Sequence, residues 1–175
     1  DGYDPRSDTI FQELLYGKVY RALPMGDQSV EGFVRVFTRV LYCLGIFALV
    51  ALSGVLTRNR AAALLACLAY AVMLPAVERS TGQVLYREHL AIPLAVFHLY
   101  FLAAALERKG WHNPLLAGFF LLLALLAWKV MTFYMLFLVG FFALGLLAGK
   151  RGVRPLLALG GCVLPVWLVS LTLPV

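Results

Sequence analysis

The sequence predicts an all-α membrane protein, a polytopic helical bundle with about six transmembrane spans. Hydrophobic residues make up 62% of its 175 residues and charged residues only 14%, whereas soluble domains contain about half and about a quarter. Apolar runs recur along the whole chain, as expected of helices that each need about 20 apolar residues to cross a bilayer. The net charge of +6 falls in small clusters between these runs. That distribution indicates membrane topology and argues against nucleic-acid binding.

Residues 1–33 are predicted to form an extracytoplasmic acidic loop with a short helix at the membrane surface. The helix is predicted in TIFQELLYGKVYRAL, where apolar and polar positions follow near-helical spacing between Pro5 and Pro24. The six predicted spans follow at residues 34–56, 60–77, 89–106, 114–128, 132–148 and 155–175. Several are shorter than about 20 residues, so bilayer thinning or packing against neighbours must compensate.

Two further features bound the interpretation. Cys43, Cys67 and Cys162 all lie within apolar runs and lack the spacing of a disulfide framework or a zinc site. The chain begins at Asp1 without an initiator Met and stops inside an apolar run, so we expect it to be a fragment of a longer protein.

The basic residues predict which ends of the spans face the cytoplasm. They cluster after the first, third and fifth predicted spans, which places these connections on one side of the membrane: Arg58, Arg60, Arg108, Lys109, Lys150, Arg151 and Arg154. Positively charged connections are typical of the cytoplasmic side. The opposite side, in the periplasm, lumen or cell exterior, then receives the N-terminal loop, the stretch 78–88 and the turn at Lys129.

Two acidic clusters fall on this extracytoplasmic side. The first holds Asp1, Asp4, Asp8 and Glu13, and the second holds Glu78 and Glu88, with Glu88 at the start of a predicted helix near His89. Converging carboxylates can bind a divalent cation or act as a base. The alternative is structural, because Asp is common in solvated turns and a carboxylate at a helix N-terminus is stabilised by about 0.3–1 kcal/mol. The neighbouring Arg87 favours function at Glu88, since ionisable pairs at membrane depth commonly mark functional sites.

The order of these features resembles the GT-C superfamily of polyprenyl-phosphate-dependent glycosyltransferases. An acidic extracytoplasmic loop is followed by two spans joined by a basic turn, a second acidic loop opening into a helix, and a short span ending in Trp128. The resemblance covers roughly residues 1–148. It implies transfer of a sugar or oligosaccharide from a polyprenyl-phosphate or pyrophosphate donor to an acceptor, expected to be a protein or peptide, on the extracytoplasmic face.

Some motifs resemble those of the catalytic subunit of oligosaccharyltransferase. The opening DGYDP is similar to that family's first acidic motif, and the Arg-Ser pair at Arg79 followed by Glu88 matches the segment leading to its second acidic pair. Tyr86 replaces the first acid of that pair and removes one oxygen ligand. This resemblance implies a divalent metal, Mg²⁺ or Mn²⁺, bound by Asp1, Asp4 and Glu88.

Other motifs resemble the tryptophan C-mannosyltransferases. Arg87-Glu88 precedes an apolar helix that carries Pro93, and a later span ends at Trp128. Asp8 follows an Arg-Ser pair, as the first-loop acid of that family does. Because those enzymes are regarded as metal-independent, this resemblance implies catalysis without a metal.

Both resemblances imply the same chemical roles. The anionic leaving group needs a positive partner, and the acceptor needs a group that takes or orients its proton. The candidate donor-binding cations are Arg79, Arg87 and Lys129. The candidate catalytic acids are Asp4, Asp8 and Glu88, with Asp1 as a further candidate in the first loop. Two alternatives lie outside the transferases: a transporter or channel fragment, whose charges should cluster near the bilayer midplane, and a non-catalytic membrane scaffold, in which these acids are dispensable.

Overall fold

The computed structural model describes residues 11–23, 29–72, 87–107 and 110–147. Within these residues all regular structure is α-helical, which confirms the predicted all-α class. The helices are α1 (Phe11–Ala22), α2 (Val30–Thr57), α3 (Arg60–Val72), α4 (Glu88–Glu107), α5 (His112–Ala127) and α6 (Met131–Leu147). The predicted span at 155–175 lies outside the described residues.

Two of the described helices, α2 and α4, are long and apolar enough to cross a membrane. α2 has 28 residues and α4 has 20, so at 1.5 Å per residue they are about 42 Å and 30 Å long. A bilayer's hydrocarbon core is about 30 Å thick. α3, α5 and α6 are apolar but shorter, and the six-span topology remains a prediction.

α2 begins one turn earlier than the predicted span at residue 34. Ser29 caps the helix, because its Oγ accepts a hydrogen bond from the Gly32 backbone N–H at 3.1 Å. In the first turns Arg35 donates a hydrogen bond to Glu31, one helical turn before it. Capping and side-chain pairing therefore extend the helix into polar sequence, beyond the apolar run.

α2 and α4 run parallel and approach closely where the middle of α2 meets the first turns of α4. A Cβ built on Gly45 would lie 3.4 Å from Cβ and Cγ of Pro93, already in van der Waals contact. The helices therefore meet at a position that favours a small residue, as membrane helix pairs commonly do. At their C-terminal ends Arg58 forms an ion pair with Glu107 at 3.7 Å. Of these two contacts, the one later in α2 is also the one later in α4, which shows that α2 and α4 run in the same direction.

α3 and α5 run antiparallel to this pair. α3 lies against α2, where the rings of Tyr42 and Tyr70 stack with centroids 5.1 Å apart and the Tyr42 hydroxyl donates to the Tyr70 carbonyl at 3.0 Å. α5 lies against α4, and Leu102 and Ala105 pack with Ala117 in one apolar cluster, which also takes in Leu138 and Phe142 of α6. The start of α4 thus lies at the same end of the bundle as the C-terminal ends of α3 and α5.

Many large apolar side chains face outward. Phe47 of α2 is 70% exposed, Leu65 of α3 is 65% exposed and Phe137 of α6 is 79% exposed. So many exposed large apolar side chains are unusual for a monomer in water and typical of a protein that meets lipid or another protein. It supports the membrane location predicted from composition.

α1 is attached to α2 through Tyr16. This side chain is buried, its ring meets Phe33 and Phe37 edge-on, and its hydroxyl is 3.2 Å from Thr38 Oγ1. The predicted helix within the N-terminal segment is therefore present, and it packs on the first turns of α2.

Alkaline pH should weaken this attachment. Burial raises the pKa of the Tyr16 phenol above 10.0, and the Thr38 hydrogen bond offsets part of that rise. Since the folded pKa exceeds the unfolded one, the stabilisation is complete below pH 10 and is lost as pH rises through the folded pKa. We expect thermal stability to fall over this interval by more in the wild type than in Tyr16→Phe, which keeps the ring and cannot ionise.

Tyrosinate absorbance would locate the transition, because subtracting the Tyr16→Phe titration from that of the wild type isolates this one phenol. At neutral pH the same substitution should cost only about 1 kcal/mol for the lost hydrogen bond. A difference titration centred at or below pH 10.0 would contradict the raised pKa.

Candidate functional site

Arg87 and Glu88 stand at the N-terminal end of α4, where the sequence predicts the helix to begin. The Arg87 carbonyl accepts hydrogen bonds from the backbone N–H groups of Leu90 at 3.3 Å and Ala91 at 3.1 Å, so Arg87 closes the first turn. Glu88 is the first helical residue and is half-buried. Its carboxylate therefore lies where the helix dipole favours negative charge by about 0.3–1 kcal/mol.

Glu88 lines a small cavity between three helices. The cavity has a volume of about 30 Å³ and is bounded by Thr38 and Tyr42 of α2, Tyr70 of α3, and Glu88, His89, Ile92 and Pro93 of α4. That volume admits a water or two and not a sugar ring. Most of the surface that lines the cavity is apolar, although Thr38, Tyr42, Tyr70 and Glu88 border it. Its small volume means that any sugar must lie outside it.

Lys129 lies at the same end of the bundle. It occupies the turn between α5 and α6, it is exposed, and its carbonyl accepts a hydrogen bond from the Thr132 N–H at 2.9 Å. The preceding Trp128 packs on the apolar cluster formed by Leu90 and Ala91 of α4 with residues at the end of α5 and the start of α6. The predicted donor-binding cations Arg87 and Lys129 therefore each lie within a few residues, in sequence, of members of one apolar cluster.

The N-terminal end of α1 meets the same cluster. Phe11 and Leu15 pack against it from α1, and Asp8 precedes Phe11 by only three positions in the sequence. The remaining predicted site residues lie outside the described residues: Asp1, Asp4, Asp8 and Arg79. Of the predicted constellation, the structure brings Arg87, Glu88 and Lys129 to one end of the bundle.

The described residues do not by themselves make a metal centre. Across 11–23, 29–72, 87–107 and 110–147, no group of three or more His, Cys, Asp or Glu side chains is close enough to share an ion. Glu88 is the sole predicted metal ligand in these ranges, and hard cations such as Mg²⁺ take about six oxygen ligands. A metal at this site would depend on Asp1 and Asp4.

Sequence reasoning missed the neighbours of Glu88. His89 is buried beside it, and Thr38 and Tyr42 reach the cavity from α2. A signal was present, since Thr38 and Tyr42 are polar side chains four residues apart within an apolar run and so share one helix face. The spacing of these residues does not predict which helix packs against that face.

His98 lies deeper in α4 and has a packing role. It is fully buried, its Nδ1 is 2.8 Å from the Ala117 carbonyl oxygen, and its ring meets Tyr134 edge-on at 5.6 Å. These contacts join α4 to α5 and α6. The histidine therefore connects helices below the site and does not reach the cavity beside Glu88.

Comparison of the chain with protein-family models, with curated proteins and with solved structures finds no match in any of the three.

Proposed function

We propose that the protein is a membrane glycosyltransferase that transfers a sugar or oligosaccharide from a polyprenyl-phosphate or pyrophosphate donor to a protein or peptide acceptor on the extracytoplasmic face. The observation that carries the proposal is the Arg87-Glu88 pair. It stands at the start of an apolar helix long enough to cross a membrane, with Glu88 lining a cavity between three helices. An ionisable pair in such a position marks a functional site more often than a structural one.

Arg87 and Lys129 supply positive charge to the leaving phosphate. They lie at the same end of the bundle, and each is close in sequence to residues of the apolar cluster that contains Leu90 and Met131. A lipid-linked donor places its phosphate at the membrane surface, where guanidinium and ammonium groups stabilise the charge that grows as the glycosidic bond breaks. Arg79 is a third candidate for this role.

Glu88 positions the reacting groups, and an acid from the N-terminal segment takes the acceptor's proton. Asp4 and Asp8 are the candidates for the base, with Asp1 as the alternative. Glu88 is half-buried beside Arg87, so its carboxylate can hold the arginine or the acceptor in place. If a divalent metal binds, Asp1, Asp4 and Glu88 would hold it, and it would neutralise the phosphate.

Replacing Arg87 by Gln in the full-length protein tests this assignment. We expect sugar transfer from a labelled polyprenyl-phosphate donor to fall about a hundredfold or more, because a charge aimed at the leaving group is lost. Arg87→Lys should recover part of the rate. Arg35→Gln, which removes an exposed arginine from the start of α2, is the matched control and should leave transfer intact.

The same assay with and without a chelator separates the metal-dependent from the metal-independent mechanism. Undiminished transfer by Arg87→Gln would contradict the assigned role. Solute movement across vesicles without any sugar transfer by the wild type would instead identify a transporter.

A further inference from the structure

The end of the bundle opposite Glu88 carries an unusual turn. Arg58 and Asn59 are the whole connection between α2 and α3. Asn59 caps α3, because its Oδ1 accepts from the Ala61 N–H at 2.9 Å. Arg58 has φ 53 and ψ 17 and is the one residue other than glycine with positive φ in the described part of the chain. Glycine usually occupies this position at a helix C-terminus, so the arginine here holds a conformation that its backbone disfavours.

Two grooves open on either side of Arg58. One has a volume of about 450 Å³ and runs between α2 and α3, lined by Val50, Gly54, Arg58, Asn59, Arg60, Ala63 and Leu64. The other has a volume of about 280 Å³ and lies between α2 and α4, lined by Ala51, Gly54, Val55, Arg58, Tyr100 and Glu107. Gly54 borders both, and nothing lies within 4 Å of a Cβ built on it.

The larger groove is positive at its mouth and apolar along its length. Arg58 and Arg60 are both exposed at the turn. The carboxylate of Glu107 is 3.7 Å from Arg58, and both side chains are open to solvent, so this ion pair is weak and leaves one positive charge in excess. Val50, Ala63 and Leu64 form the apolar wall.

We infer that this groove binds an anionic phospholipid. Its phosphodiester would lie on the guanidinium groups of Arg58 and Arg60, and an acyl chain would lie along Val50, Ala63 and Leu64. Charge complementarity selects an anion, and the apolar wall that continues from the arginines selects an amphiphile over a free phosphate. Basic pockets between membrane helices on the cytoplasmic side are known to take such headgroups. The site lies at the other end of the bundle from Arg87 and Glu88, so it is independent of the proposed transfer reaction.

Lipid retention by the full-length protein tests the inference. The protein would be exchanged into nanodiscs of phosphatidylcholine with a minor fraction of phosphatidylglycerol, and the lipids that remain bound would be counted by native mass spectrometry. We expect enrichment of phosphatidylglycerol in the wild type and a loss of roughly fivefold for each arginine removed in Arg58→Gln and Arg60→Gln. Arg35→Gln with Arg39→Gln removes the same charge from the other end of α2 and should retain the enrichment.

Two further variants separate lipid binding from folding. Arg58→Gly relieves the backbone preference and should raise Tm in pure phosphatidylcholine while lowering phosphatidylglycerol retention. Gly54→Leu fills both grooves without touching a charge and should also lower retention. Retained enrichment in Arg58→Gln with Arg60→Gln would overturn the inference. So would an equal loss in the Arg35 and Arg39 control, or displacement of the lipid by inorganic phosphate.

Discussion

Replacing Glu88 by Gln is expected to abolish most sugar transfer by the full-length protein, with a loss of about a hundredfold or more. Gln keeps the size of the side chain and removes its charge. Glu88 is half-buried at the start of α4 and lines a cavity with Thr38, Tyr42 and Tyr70. A charge confined in such a place acts on its neighbours more strongly than one in water. The measurement is the turnover of a polyprenyl-linked sugar donor in nanodiscs, compared at equal protein.

Glu31→Gln is the matched control for this experiment. Glu31 is also a first-turn glutamate of a long apolar helix, but its side chain is 70% exposed and pairs with Arg35 on the surface. Its replacement should leave turnover within about twofold, because exposed ion pairs contribute only about 0–1 kcal/mol. Full activity in Glu88→Gln, with unchanged Tm, would reject a functional carboxylate and favour the helix-capping role alone.

Gly45→Leu is expected to separate α2 from α4. The added Cβ would lie 3.4 Å from Pro93, and the rest of the leucine side chain would extend into space that Pro93 occupies. Overpacking of this kind costs about 1–3 kcal/mol. We expect a fall in Tm of several degrees, together with a loss of transfer activity, since Glu88 stands little more than one turn from Pro93 in the same helix.

Gly54→Leu lies on the same helix and serves as the comparison for stability. A Cβ built at Gly54 meets nothing within 4 Å, so leucine should fit there, and its better helix propensity should stabilise α2 by up to about 1 kcal/mol. Thermal unfolding of both variants in the same detergent provides the test. Equal Tm values for Gly45→Leu and the wild type would show that the two helices do not meet as closely as described.

The helices themselves were largely predictable from the sequence. Backbone polar groups inside a membrane must form their hydrogen bonds within the protein, which favours helices. The side chains of those helices face lipid, so each helix appears in the sequence as a long apolar run. The apolar runs at 89–106, 114–128 and 132–148 coincide within a few residues with α4, α5 and α6. α2 begins before its predicted apolar run because the Ser29 cap and the Glu31–Arg35 pair stabilise an additional polar turn.

The site was predictable only in part. Arg87 and Glu88 are charged residues at the start of an apolar run, so neighbouring sequence alone was enough to predict that they begin a helix. The hydroxyl-bearing walls of the cavity come from α2 and α3, whose pairing depends on side-chain shape at residues far apart in sequence, such as Tyr42 and Tyr70. The N-terminal carboxylates and Arg79 lie outside the described residues, and their convergence on Glu88 stays a prediction.

Pro93 has no backbone N–H, so it cannot donate the hydrogen bond that would tie it to the carbonyl of residue 89. The turn that carries Glu88 is therefore joined less firmly to the rest of its own helix than an ordinary first turn would be, and its position depends more on what lies across from Pro93. That neighbour is Gly45, on a different helix. In a genetic screen for lost activity, substitutions at Gly45 should be recovered alongside those at Glu88, although Gly45 has no side chain and carries no chemistry of its own.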